Sequence, residues 1–136
     1  MKLENQLSFP LYALSREIIK LYKPYLDKLN LTYTQYITML VLWDNERILL
    51  RDLEQKLHLD SGTTTPVLKK LRAMKLINKY KTEEDERIVF VELTDKGREM
   101  RDDALNIPLN VYKNSGLSIN EAEKLKECVD MIMQKF

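Results

Sequence analysis

The sequence predicts a mostly α fold with one small β-hairpin, bounded at each end of the chain by a long apolar-striped helix. Three observations carry this. Only three glycines occur in 136 residues, too few for an all-β domain rich in tight turns. Apolar residues recur at steps of three and four through most of the chain, which is the period of a helix with one covered face. The period changes to two after Lys75, where Ile77, Lys79 and Lys81 alternate with Asn78 and Tyr80.

The first segment sets Leu7, Leu11, Leu14, Ile18, Leu21 and Tyr25 on one a/d seam, broadened by Tyr12, Ile19 and Tyr22. Pro10 suits the first turn of a helix starting near Phe9, whereas Pro24 lies deeper and is expected to kink or end it. Thr32 and Gln35 have capping-box spacing, so a second helix starts at Tyr33, stops near 44–45, and turns Tyr36, Ile37, Leu40, Val41 and Trp43 inward. A third, two-turn helix is read over 50–57, with Leu53 and Leu57 on one side.

A fourth helix, capped by Asp60 or Ser61, turns Val67, Leu68, Leu71 and Met74 inward. The hairpin follows, its strands at 77–81 and 88–93 and its tip the polar run 82–87. Thr94 caps a further helix to about Leu105, with a break expected around Pro108. Ser118 and Glu121 form a second capping box, opening a last helix with Ala122, Leu125, Val129, Ile132 and Phe136 on one seam. Cys128, beside Val129, is expected to be buried packing, and His58 a partner for a helix C-terminus or for a phosphate.

The net charge of +1 conceals an uneven distribution. Between Ser61 and Thr82 lie six basic residues (Lys69, Lys70, Arg72, Lys75, Lys79, Lys81) and no acidic one, while the remainder holds 16 basic against 21 acidic residues. By charge alone this block is equally a solvated helix face or a phosphate-binding face. Order adds information, because helix, helix, short helix, basic helix and charged hairpin is the layout of a winged helix-turn-helix. Ser61, Thr63, Thr64 and Thr65 are then placed to approach base edges or phosphates at a helix N-terminus, with Lys69, Lys70 and Arg72 behind them.

Arg87 stands among Glu83, Glu84, Asp85 and Glu86. Chemistry alone favours an exposed Asp85–Arg87 ion pair worth about 0–1 kcal/mol over a guanidinium oriented for insertion into a narrow minor groove. The two terminal stripes are not needed to cover a helix-turn-helix core, so they are expected to cover each other across a two-fold axis. The expected organisation is a single domain over 1–136, with dimerisation helices at about 5–30 and 95–136 and a DNA-binding region at about 32–94. The expected partners are a second copy and double-stranded DNA bearing a pseudo-palindromic operator.

Composition narrows the classes. One cysteine and one histidine leave no metal cluster and no internal disulfide, and no cofactor is expected. No apolar run reaches the roughly 20 residues of a membrane span, and residues 1–6 lack a signal-peptide layout, so the cytoplasm is expected. An enzyme is not supported, since neither a nucleophile–base pair nor a phosphate-cradling glycine loop occurs. A helical adaptor protein leaves the acid-free basic helix unexplained.

The run from Leu59 to Leu71, then Glu84-Asp85-Glu86-Arg87 and Leu93-Thr94-Asp95-Lys96-Gly97, resembles the MarR family of winged-helix regulators over nearly the whole chain. The resemblance implies a homodimer, a working Asp85–Arg87 wing pair and repression of a nearby promoter. The stretches Gln6–Tyr12, Ser15-Arg16-Glu17, Tyr22-Lys23-Pro24 and Leu31-Thr32-Tyr33 further resemble the organic-hydroperoxide-sensing branch and its staphylococcal relatives. In that branch a reactive cysteine stands at the position of Ser8, surrounded by tyrosines matching Tyr12, Tyr22 and Tyr33. A serine hydroxyl has no sulfenic acid state, so peroxide oxidation at residue 8 is closed to this chain. An engineered Cys-to-Ser change and a natural relative without the sensor both fit. The effector is then an organic hydroperoxide in the lineage, or a small ligand among the tyrosines.

Overall fold

The computed structural model describes residues 1–136. After a 3-10 turn at Leu3–Asn5, the elements are α1 (Ser8–Leu29), α2 (Tyr33–Asn45), β1 (Arg47–Leu49), α3 (Leu50–Leu57), α4 (Ser61–Ala73), β2 (Ile77–Lys81), β3 (Val89–Leu93), α5 (Asp95–Ala104), α6 (Ile107–Ser115) and α7 (Ile119–Met133). Two compact units result: Lys23–Leu105, and Met1–Tyr22 with Asn106–Phe136.

The first of these units holds the helix-turn-helix and a three-stranded antiparallel sheet in the order β1-β3-β2. β3 is central, pairing Ile48 with Val91 on one side and Lys79 with Val91 on the other. Strand period two then puts Ile48, Ile77, Val91 and Leu93 on the covered face, and all four are buried. They join Leu53, Leu68, Leu71 and Leu76 from the helices and their connections in one apolar cluster. Each of these leucines contributes about 1.5–3 kcal/mol by its removal from water. β1 has no signature in the sequence, because three residues are too few for alternation to register.

The capping boxes form where their spacing places them. Gln35 N donates to Thr32 Oγ1 at 3.3 Å while Thr32 N donates to Gln35 Oε1 at 2.9 Å. The inward face of α2 is not the expected one. Met39 and Leu42 are fully buried with Tyr36, whereas Leu40 is exposed and Ile37, Val41 and Trp43 are half-buried. Thr38 permits this, since its hydroxyl donates to Thr34 O at 2.7 Å and enters the interior satisfied. Pro24 also departs from expectation: α1 runs through it to Leu29, forfeiting one backbone hydrogen bond but carrying Leu26 to a buried position.

The break falls at Leu105–Asn106, where the second unit resumes, ahead of Pro108, which sits in the first turn of α6 where its missing N–H costs nothing. α6 itself is not among the elements that the periodicity predicts. α7 opens on the Ser118–Glu121 box and contains no buried residue. Val129 and Ile132 are more than two-fifths exposed, as are Leu7, Leu11 and Leu14 along the N-terminal seam. Cys128 is exposed, contrary to the buried packing expected of it, because only Ala122 and Leu125 of α7 are even half-covered within one chain. No helix is long and apolar enough to cross a membrane.

Candidate nucleic-acid interface

The basic helix is held by its N-terminus. Asp60 caps α4 through Oδ1, which accepts from Thr63 N at 2.9 Å, and that N–H holds the Asp60 carboxyl below its ordinary range. Burial of Val67, Leu68 and Leu71 fixes the inner face. Ser61, Thr65, Lys69 and Arg72, at steps of four, four and three, consequently line one outward stripe, with Thr63 and Lys70 on the other flank of the exposed surface; all six are exposed. Pro66 lies in the second turn without interrupting the helix.

Thr64 is different. It is 2% exposed, and its hydroxyl donates to Glu54 Oε2 on α3 at 2.8 Å. It is withdrawn from the outward set expected of it, since a helix turning Thr63 and Thr65 outward must turn the residue between them elsewhere. His58 ends α3 in the left-handed conformation at φ 53° and is exposed. Neither the role of Glu54 nor this conformation has a signal in the sequence.

The hairpin tip is built around Asp85. Thr82 Oγ1 donates to Asp85 O at 2.8 Å and accepts from Asp85 N at 3.2 Å, closing the loop. Asp85 then accepts from Arg87 N at 2.9 Å, from Arg87 Nε at 3.2 Å and from Arg87 Nη2 at 3.3 Å. The guanidinium and the backbone N–H of Arg87 together hold the Asp85 carboxyl below its ordinary value. The Arg87 side chain remains 91% exposed, so the pair presents its cation to solvent with one flank held. Below the tip, Leu49, Leu50, Arg51, Glu54, Arg87, Ile88 and Val89 line a cavity of about 230 Å³.

The sheet's other face carries Arg47, whose guanidinium lies 3.7 Å from the Phe90 ring centre, with Tyr80 stacked on Phe90 at 5.8 Å. Arg98 of α5 donates to Glu46 at 2.7 Å and to Asp95 at 2.7 Å, tying the end of α2 to the helix after the wing. Trp43 Nε1 donates to Gly97 O at 2.8 Å across the same junction.

Ser8, Tyr12 and Tyr22 all lie on α1, and Tyr33 opens α2. Ser8 and Tyr12 are exposed, with the Arg16 guanidinium 5.6 Å from the Tyr12 ring centre. Tyr22 is half-buried, and burial raises its phenol pKa. Tyr33 is half-buried with its ring 6.3 Å from that of Tyr36. Fourteen residues of helix separate Ser8 from Tyr22, roughly 21 Å at about 1.5 Å per residue. One chain therefore does not bring Tyr22 to Ser8.

Residues 20–104 match the family described as transcriptional regulator SarA/Rot. The chain is 48% identical to the organic hydroperoxide resistance transcriptional regulator of Bacillus subtilis (strain 168) over 93% of its own length and 84% of that protein's. Among solved structures it is similar to reduced AbfR bound to DNA, AbfR being a protein of Staphylococcus epidermidis, at 28% identity and a TM-score of 0.79 over 98% of this chain and 94% of that one. It shares its fold with a mutant of MarR from E. coli complexed with operator DNA, at a TM-score of 0.84 and 20% identity over 97% and 99% of the two chains. With more than half its length matched to one family and nearly all of it aligned to a transcriptional regulator, the chain belongs to the SarA/Rot family of winged-helix transcriptional regulators.

Proposed function

We propose that this chain is a cytoplasmic repressor that binds a pseudo-palindromic operator as a homodimer, from the organic-hydroperoxide-responsive lineage but without an oxidisable group at residue 8. The observation that carries the proposal is the outward face of α4, where Ser61, Thr63, Thr65, Lys69, Lys70 and Arg72 are exposed together and the nearest hairpin ends in an exposed arginine. α4 enters the major groove. Its hydroxyl residues meet base edges or phosphates, its cations hold the backbone, and Arg87, oriented by Asp85, takes the adjacent minor groove. The uncovered stripes of α1 and α7 support the second copy, and their apolar area disfavours an isolated chain.

Fragments of the source genome selected by the purified protein, followed by anisotropy titration at several salt concentrations, test this. Three cations per subunit on phosphates give six per dimer and a slope of log affinity against log salt of about −5. The selected fragments should contain half-sites about one helical turn apart. Absence of duplex affinity at low salt, or selected fragments without two-fold symmetry, would overturn the proposal.

A further inference from the structure

We infer that Glu54, a residue of α3 that lies outside the outward face of α4, is a positioning residue for DNA recognition, acting through its hydrogen bond with Thr64. The inference rests on the proposed DNA binding and deepens it by naming what sets the angle of α4. The apolar contacts beneath α4, through Val67, Leu68 and Leu71, lie toward its middle and C-terminal half. Dispersion and burial between such side chains are non-directional. They hold the helix against the core without strongly resisting rotation of its first turn about its own axis. That turn carries Ser61, Thr63 and Thr65.

Two polar contacts fix it. Asp60 satisfies Thr63 N, a bond local to the cap that moves with the helix. The Thr64 hydroxyl donating to Glu54 Oε2 at 2.8 Å is the contact that reaches another element, ten residues away in sequence and from a side chain only 2% exposed. An acceptor placed there is directional, and its loss leaves a buried hydroxyl unsatisfied. Because Thr63 and Thr65 lie about 100° to either side of Thr64 on the helical wheel, anchoring Thr64 inward aims both of its neighbours outward. At a side-chain radius of roughly 5–6 Å, a rotation of about 20° moves their hydroxyls by about 2 Å, beyond the tolerance of a base-edge hydrogen bond. Glu54 also lines the cavity beneath Arg87, so one carboxylate stands between the recognition helix and the wing.

The test uses the full-length protein, a duplex carrying the selected operator and an unrelated duplex of equal length, with binding read by anisotropy. Glu54→Ala and the near-isosteric Thr64→Val should each weaken operator binding about tenfold. They should change binding to the unrelated duplex by less than about twofold, because phosphate contacts tolerate small rotations. Combining them should weaken binding no further than either alone, the signature of one shared interaction. Glu54→Gln, whose amide oxygen still accepts from Thr64, should stay within about threefold of the parent.

Thermal unfolding of each variant establishes that it is folded at the assay temperature. Thr64→Ser, which retains the hydroxyl, replaces Thr64→Val as the comparison with Glu54→Ala if the valine variant is unfolded; it should bind the operator as the parent does. Equal losses on both duplexes, unchanged operator binding in Glu54→Ala, or a Glu54→Gln variant as weak as the alanine would overturn the inference. A parent protein that binds neither duplex would instead refute the DNA reading, so the two failures are distinguishable.

Discussion

Of the three glycines, Gly97 is the one to which the packing leaves least room. It lies in the first turn of α5 and is buried. A Cβ built there would stand 2.1 Å from Leu76 O, 3.1 Å from Leu76 C and 3.1 Å from Leu93 Cδ2. The first contact is with backbone, which has no rotamer to escape through, and relief to an ordinary carbon–oxygen separation requires a displacement of about 1 Å or more. That displacement acts on a connected set: Leu76 O accepts from Thr94 N at 3.1 Å, Thr94 Oγ1 accepts from Gly97 N at 3.0 Å, and Gly97 O accepts from Trp43 Nε1. Overpacking of this kind costs about 1–3 kcal/mol, and a lost indole hydrogen bond about 1 kcal/mol more. Gly97→Ala should therefore cost about 3 kcal/mol, lowering Tm by about 10 °C in a chain of this size. Urea or thermal unfolding followed by the fluorescence of Trp43, the single tryptophan, measures it directly, and the emission of folded Gly97→Ala should also shift as the indole loses its acceptor. A Tm within about 2 °C of the parent would refute the claim that α5 is close-packed against Leu76 and Leu93.

Arg98 holds the Glu46 carboxyl below its ordinary value of 4.5, so that pair's stabilisation is present above this value and lost as pH falls through the lower folded one. Arg98→Gln should flatten the fall of Tm between about pH 5 and pH 3, and an unchanged acid profile would contradict the assignment. Ile132→Glu places a carboxylate on the α7 stripe and should shift the elution mass from twice 16.1 kDa to the single value; an unaltered mass would locate the dimer contact elsewhere. Arg87→Ala should weaken operator binding about tenfold by removing the proposed minor-groove cation, a loss that Arg87→Lys should recover only in part because a point charge lacks the planar fork. Ser8→Cys, made together with Cys128→Ser because residue 128 is exposed, should confer release of operator by an organic hydroperoxide; unchanged affinity would count against the lineage assigned to residue 8.

What is legible in the sequence is whatever depends on neighbours within four or five residues. Both capping boxes and the Thr94 and Asp60 caps follow from side-chain-to-backbone bonds that are local to the chain, and the extent of α3 from the spacing of Leu53 and Leu57. The inward face of α2 does not follow beyond Tyr36, because Ile37, Leu40 and Val41 are as apolar as Met39 and Leu42; only tertiary contact with Leu53 and Leu68 chooses between the two sets. Thr64 escapes for a related reason: a run of three threonines states that hydroxyls are present but not which one meets Glu54. The basic helix and the arginine-tipped hairpin are legible as composition and as resemblance, and the match to a family of transcriptional regulators agrees with them. The roughly 21 Å between Ser8 and Tyr22 follows from helix geometry once both fall on one helix, yet a motif aligned along the sequence conceals distance along the axis.

The acidic residues at the wing bear on how the proposed binding selects its target. Glu83, Glu84 and Glu86 share the exposed hairpin tip with Arg87, and carboxylates near phosphate oppose association wherever the guanidinium is not itself engaged. A wing bearing only lysines would adhere to any duplex. In the proposed complex, this one would gain from DNA only where the groove is narrow enough, and its potential negative enough, for one inserted arginine to offset three repelled carboxylates. Selectivity of that kind comes from a penalty on wrong sites rather than from stronger contact with the right one. It matches the charge plan of the whole chain, in which 16 basic and 21 acidic residues surround a block of six cations. Under the proposed binding, the surrounding acid would hold down general attraction to nucleic acid, leaving the outward face of α4 to carry the electrostatic affinity and the shape of the minor groove at Arg87 to gate it.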